Sequence, residues 1–132
     1  VRIIFVDAFY WIARINPRDQ WHRKATELSS SLKDASLATT DSVLIELLNY
    51  FSGYGPEMRQ AVALIVRHIL DDPNIEVFPD LFEVGLALFE SRLDKGYSMT
   101  DCLSMNTMQD VGATEVLTHD HHFAQEGFII LL

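Results

Sequence analysis

The chain has 132 residues, 48% of them apolar and 11% aromatic, with one cysteine and a formal charge of −9 at pH 7. That length fits a single domain, residues 1–132, with enough apolar content for a core, and the lone Cys102 excludes an internal disulfide and a cysteine-based zinc cage. No apolar run approaches the roughly 20 residues that span a bilayer, and the amino-terminal segment lacks the pattern of a signal peptide, so a cytoplasmic protein without membrane contact is expected.

Arg2-Ile-Ile-Phe-Val6 is a β-branched and aromatic run ending at Asp7, the pattern of a buried strand. Ala8 to Arg14 reads as a first helix, closed by Asn16-Pro17, and Asp19 is expected to cap a second helix running to about Leu32. Ser36–Thr39 is a weak second strand. Thr40 or Asp41 opens a helix through Tyr50, Gly53-Tyr-Gly-Pro56 breaks it, and a further helix follows from about Glu57 to Leu70. Asn74–Phe78 is the third strand, stopped by Pro79. Leu81–Leu93 is a helix ended by Gly96, and Thr100–Val111 one ended by Gly112. Glu115–Thr118 is the fourth strand, His119–Gln125 a short helical turn, and Phe128–Leu132 the fifth strand. Strands alternating with helices imply parallel strands, right-handed crossovers and helices on both faces: a three-layer α/β/α sandwich.

In an open parallel sheet, ligands gather beyond the carboxyl ends of the strands. Asp7 and Asp120 fall there directly. Asp101 heads a helix antiparallel to the strands, so it faces the same rim. Glu46 lies inside Val43-Leu-Ile-Glu-Leu-Leu48, without a Lys or Arg at Ser42, Val43, Asn49 or Tyr50 to pair with it. Each acid also has a plain structural reading. Asp7 and Asp120 can cap the helices after them, and Ser98-x-x-Asp101 is a capping box, stabilising a helix end by about 0.5–2 kcal/mol. Four acids converging without basic neighbours repel one another, and a divalent cation relieves that repulsion. Oxygen donors without cysteine suit Mg²⁺ or Mn²⁺, ions that support phosphodiester cleavage in nucleases and phosphatases alike.

The acidic total argues against a broad electrostatic footprint on nucleic acid, but the charge is uneven. Through Lys33 six bases face three acids, whereas four bases face sixteen acids thereafter. A basic arm carrying Arg14, Arg18, Arg23 and Lys24 can engage a polyanion where the acids hold divalent cations.

Phe5-Val-Asp7 before an apolar helix, Leu44-Ile-Glu-Leu-Leu48, Ser98-Met-Thr-Asp-Cys-Leu-Ser104, and Leu117-Thr-His-Asp-His-His-Phe123 ahead of Gly127-Phe128 together resemble the PIN-domain ribonucleases, and among them the toxin half of VapBC toxin–antitoxin pairs. The resemblance runs along essentially the whole chain. It implies a five-stranded parallel sheet in order 3-2-1-4-5, an acidic pocket for Mg²⁺ or Mn²⁺, and endonucleolytic cleavage of RNA. On that reading Asp7, Glu46, Asp101 and Asp120 are the acidic, metal-holding set. Thr118 supports the site by hydrogen bonding, and Ser98 and Thr100 fix Asp101. A homodimer and a cognate antitoxin are the implied protein partners. Many members carry Ser or Thr after the first aspartate, where this chain has Ala8.

Three other readings compete. A receiver-like phosphoacceptor domain needs paired acids after strand one and a Lys beyond the last strand, and neither is present. A histidine-based metal site in His119-Asp-His-His122 is a second rival, although adjacent histidines after a strand are more often exposed loop residues, or contacts to RNA. The third is a non-catalytic PIN-like RNA- or protein-binding module. The aromatic residues Phe9, Tyr10, Trp11, Trp21, Tyr50 and Phe51 are expected to be mostly core, with some at a dimer or antitoxin surface.

Overall fold

Ile4, Phe5 and Val6 are consecutive and all fully buried, which requires a strand covered on both faces. They form β1 (Ile3–Val6), the central strand of a computed structural model that describes residues 1–132. Along the chain follow α1 (Ala8–Ile15), α2 (His22–Ser29) with a 3-10 turn at Ser30–Leu32, β2 (Ser36–Thr40), α3 (Asp41–Phe51), α4 (Pro56–Asp71) and β3 (Ile75–Phe78). Then come α5 (Phe82–Ser91), α6 (Met99–Val111), β4 (Glu115–Leu117), α7 (His121–Gln125) and β5 (Ile129–Ile130).

The sheet has the order β3-β2-β1-β4-β5, and every pairing is parallel. Phe5 stands opposite Ala38 on one side and Val116 on the other, so the middle of the sheet is apolar across three strands. The helices α1, α3 and α4 pack on one another, while α5, α6 and α7 make a second group. This is the arrangement that right-handed crossovers produce when the chain leaves β1 toward one edge and returns toward the other. Gly85 allows α5 and α6 to approach closely: a Cβ there would stand 2.5 Å from Leu103 Cδ2. The core holds Phe5, Leu47, Phe51, Met105, Met108 and Phe123 at its centre.

Three elements differ from the sequence expectation. Asp19 does not cap α2; its carboxylate accepts from the Trp21 amide at 2.8 Å in a local turn, and the helix starts at His22. α7 begins at His121 rather than His119, because Asp120 is its N-cap and accepts from the His122 amide at 3.0 Å. β5 is only two residues long, although the Leu131 and Leu132 amides still bond to Val116 and Thr118 carbonyls. Short sheet edges end where side chains no longer find a covered face, as at Ile129, which is 57% exposed.

Candidate active site

β1 ends at the carboxyl edge of the sheet, and the next residue, Asp7, is 3% exposed. It occupies the N-cap position of α1 yet makes no capping hydrogen bond. Its Oδ2 instead accepts the Thr118 hydroxyl at 2.8 Å, from the residue that follows β4. The same Thr118 oxygen accepts the Asp120 amide at 3.1 Å, so one buried hydroxyl ties two of the sequence-identified acids together. Burial pushes Asp7 up to about 7 against the pull of Thr118, and the charges of Glu46 and Asp101 push the same way. The motif hydroxyl absent at Ala8 is not replaced from that position, since Ala8 is fully buried.

Asp101 arrives from α6. Ser98 Oγ accepts the Asp101 amide at 3.0 Å and the Ser98 amide donates to Asp101 Oδ2 at 3.1 Å, a complete capping box that also aims the carboxylate. The Thr100 side chain takes no part in that pair. Glu46 projects from α3 and is half-buried. Burial raises its pKa, with further contributions from Asp101 and Asp120. Asp101 is also raised, first by burial; the Ser98 amide opposes this and Asp120 adds to it. The four acids therefore share one electrostatic environment, and no Lys or Arg pairs with any of them.

The three histidines of the motif have three different fates. His121 is exposed, as a loop histidine should be. His119 stacks on Trp21, with centroids 4.8 Å apart and planes 15° apart, and meets Phe9 at 4.4 Å; burial lowers its pKa. His122 enters the acidic group, its Nδ1 lying 3.4 Å from Asp101 Oδ2 and 3.4 Å from Asp120 Oδ1. One ligand atom from each of Asp101, Asp120 and His122 falls within 4.8 Å of the others, a span that one small cation fits. Sequence reading set these histidines aside as exposed, which is right only for His121. The available signal was position: with Asp120 as N-cap, His122 is the second residue of the helix and stays at the rim. Asp7 and Glu46 lie outside that three-residue group and reach it through charge, and the carboxylates of the group fit a hard divalent cation.

The basic side chains divide. Lys24 Nζ lies 5.9 Å from the centre of the Trp21 ring, whose stacking partner is His119. Arg23 pairs with Glu27 at 3.2 Å in solvent, and Arg18 is exposed on the turn before α2. Arg14 bonds to the Tyr10 hydroxyl at 3.0 Å and lines a groove of about 730 Å³ between α1 and α4. That groove includes Leu37 and Asn74, at the amino edge of the sheet, and none of the four acids. Of the aromatic residues, Tyr10, Trp11 and Phe51 are buried, Phe9 and Trp21 are half-buried beside His119, and Tyr50 is exposed.

No protein-family model and no curated protein matches the chain. Among solved structures, the Mycobacterium tuberculosis protein VapC20, a sarcin-ricin loop cleaving toxin, superposes with a TM-score of 0.81 at 27% identity, over 96% of this chain and 96% of its own. PAE2754 from Pyrobaculum aerophilum superposes with a TM-score of 0.62 at 15% identity, over 98% of this chain and 90% of its own, a likeness of fold alone. The sheet order and the likeness to VapC20 along nearly the whole of both chains show that this chain has the PIN-domain fold and resembles the VapC toxins.

Proposed function

We propose that the chain is a metal-dependent endoribonuclease, a single domain that cleaves RNA phosphodiester bonds at the carboxyl edge of its sheet with Asp7, Glu46, Asp101 and Asp120 as its acidic set. The observation that carries this reading is the burial of Asp7 without a counter-ion, with the charges of Glu46 and Asp101 adding to the rise of its pKa. A protein retains such an arrangement where a cation is to be held. The likeness to a sarcin-ricin loop cleaving toxin supports RNA as the substrate, and a toxin of a toxin–antitoxin pair as the biological role.

A bound Mg²⁺ or Mn²⁺ would supply Lewis acidity and neutralising charge to the phosphodiester. The chain's own part is orientation. Thr118 holds one oxygen of Asp7, the Ser98 amide holds one oxygen of Asp101, and the His122 amide holds one oxygen of Asp120. The bonded oxygens of Asp101 and Asp120 each keep a lone pair for a ligand, so these carboxylates are oriented before any ligand arrives.

The cytoplasm is the proposed location, and a second copy and an antitoxin are the proposed protein partners. Two apolar surfaces are open to them: the groove beside Tyr10, Trp11 and Met58, and the face of α5 with Phe82 63%, Val84 50% and Phe89 41% exposed. The exposure of the α5 face is not apparent from sequence, which gives Leu81–Leu93 only as a helix. Incubating the protein with assorted RNAs tests the activity: fragments should form with Mg²⁺ or Mn²⁺ and not with EDTA. Intact RNA in every metal condition would favour the non-catalytic RNA- or protein-binding module.

A further inference from the structure

We infer that His122 is a nitrogen ligand of the divalent cation held by Asp101 and Asp120, which makes the site a mixed imidazole–carboxylate site. The inference rests on the metal-dependent reading above and adds to it a donor and a metal preference.

The geometry distinguishes a shared ligand position from an ion pair. Nδ1 of His122 is fully buried and has no hydrogen-bond partner. It stands 3.4 Å from both Asp101 Oδ2 and Asp120 Oδ1, and neither approach is a hydrogen bond. A charge-assisted N–H to carboxylate bond would close to about 2.7–2.9 Å. Donors sharing one ion at about 2.1 Å stand about 3.0 Å apart at right angles and about 3.4 Å apart in a tetrahedral set. Mn²⁺ and Mg²⁺ take the right-angled, octahedral arrangement, so the observed separations of 3.4 Å need close by only about 0.4 Å when the ion binds.

The ring is held in place from behind. It packs against Tyr97, with centroids 5.4 Å apart, and the Tyr97 hydroxyl donates to Glu126 Oε1 at 3.0 Å. Arg92 clamps that carboxylate with two bonds, at 3.0 and 2.9 Å. The backbone amide of His122 donates to Asp120 Oδ1, so α7 fixes both a carboxylate and the imidazole beside it. A buried nitrogen aimed between two carboxylates, on a ring locked by its neighbours, is the construction of a ligand. His119 is engaged in its aromatic stack and His121 is in solvent, so neither competes for the role.

An imidazole donor shifts preference away from Mg²⁺, which favours oxygen, toward Mn²⁺, which binds more tightly as nitrogen enters the ligand set. Pulsed electron paramagnetic resonance on the full chain with equimolar Mn²⁺ provides the test. The wild type should show ¹⁴N coupling from a directly bound imidazole, retained in His119→Ala and His121→Ala and lost in His122→Phe. By calorimetry, Mn²⁺ affinity should fall at least about tenfold in His122→Phe, the lower end of what even an outer partner of a ligand is worth, while Mg²⁺ affinity falls less. Should circular dichroism show His122→Phe unfolded, His122→Asn takes its place. Mn²⁺ binding that requires Asp101 but shows no nitrogen coupling, or coupling that persists without His122, overturns the imidazole ligand and leaves the metal-dependent reading intact. No Mn²⁺ binding to the wild type overturns both.

Discussion

The strands β1 and β4 carry a carboxylate at each end of their shared ladder, and the two ends are opposites. At the amino end, Arg2 grips Glu115 with two bonds of 2.8 and 2.9 Å, and the guanidinium holds Glu115 below the ordinary carboxylate range. At the carboxyl end, about three residues along, Asp7 is buried with a threonine hydroxyl for company and is pushed up to about 7. The fold can therefore supply a cation to an acid on these strands, and at the carboxyl end it does not. An unpaired buried carboxylate lowers stability unless something from outside completes it. That contrast separates the carboxyl rim from ordinary surface acidity, and removing the charge at one end or the other tests it.

The largest expected effect is on catalysis. Asp101→Asn keeps a side chain able to accept the Ser98 amide, so the helix end survives while the charge is lost. Cleavage of a fluorescent RNA should fall by at least about a thousandfold, or roughly 4 kcal/mol of activation free energy, in both Asp101→Asn and Asp7→Asn. Glu115→Gln at the other end should leave the rate unchanged. Full activity in a folded Asp101→Asn protein would remove that residue from the acidic set.

Stability should move in the opposite sense. With Asp7 near 3.8 in the unfolded chain and about 7 in the fold, the folded state binds the extra proton, so stability declines as pH rises from about 4 to about 7 and the full penalty is present above that. In EDTA at pH 8, Asp7→Asn should therefore unfold at higher urea than the wild type. The gain is roughly 2–3 kcal/mol once the new amide's own desolvation is deducted from the penalty. At pH 4 the order should reverse by about 1–2 kcal/mol, because the ionisation penalty of the wild type is nearly gone while the cost of burying the amide remains. Glu115 runs the other way: its depressed pKa gives stability above the unfolded value that is lost as pH falls, and Glu115→Gln should cost less than about 1 kcal/mol because the pair is solvent-screened. Equal urea midpoints for Asp7→Asn and wild type at pH 8 would deny the strain assigned to Asp7.

A smaller change is expected from the hydroxyl that joins the two acids. Thr118→Val removes the donor to Asp7 Oδ2 and the acceptor of the Asp120 amide, and leaves both groups buried. It should cost about 1–2 kcal/mol at pH 8, and less at pH 4, where Asp7 is protonated and needs the donor less. A pH-independent loss would mean that Thr118 acts through packing alone.

How far the sequence alone reaches depends on which contacts are local. Nine of the twelve element positions and the rim positions of Asp7, Asp101 and Asp120 follow from apolar periodicity and from where acids stand relative to strand ends, whereas the sheet order came from the family resemblance. The capping box at Ser98 and Asp101 is readable because its partners are three residues apart. Thr118 bonding to Asp7 joins residues 111 apart, and only the family resemblance pointed to it. His122 was grouped with His121 as a loop residue because its neighbours Asp101 and Tyr97 come from another helix and a distant loop, and because the helix was expected to start at His119 rather than after an Asp120 cap. Asp19 was misplaced because a turn bonded to the second residue on and an N-cap use the same residue types.

The smallest expected effect concerns the positive charges around the rim. Of the four basic residues singled out in the arm, Lys24 is the one whose charge sits over Trp21, the ring on which His119 stacks. Arg14 turns instead toward Tyr10 and the groove at the far edge of the sheet. If RNA approaches along the Trp21 side, Lys24→Gln should lower the log–log salt slope of single-stranded RNA binding by about 0.7, the value of one phosphate contact, while Arg14→Gln leaves it unchanged. Fluorescence anisotropy across a salt series, on the inactive Asp101→Asn background so that the RNA stays whole, measures both. A lower slope in Arg14→Gln with none in Lys24→Gln would move the phosphate path to the groove between α1 and α4, away from the end of the sheet where the unpaired acids lie.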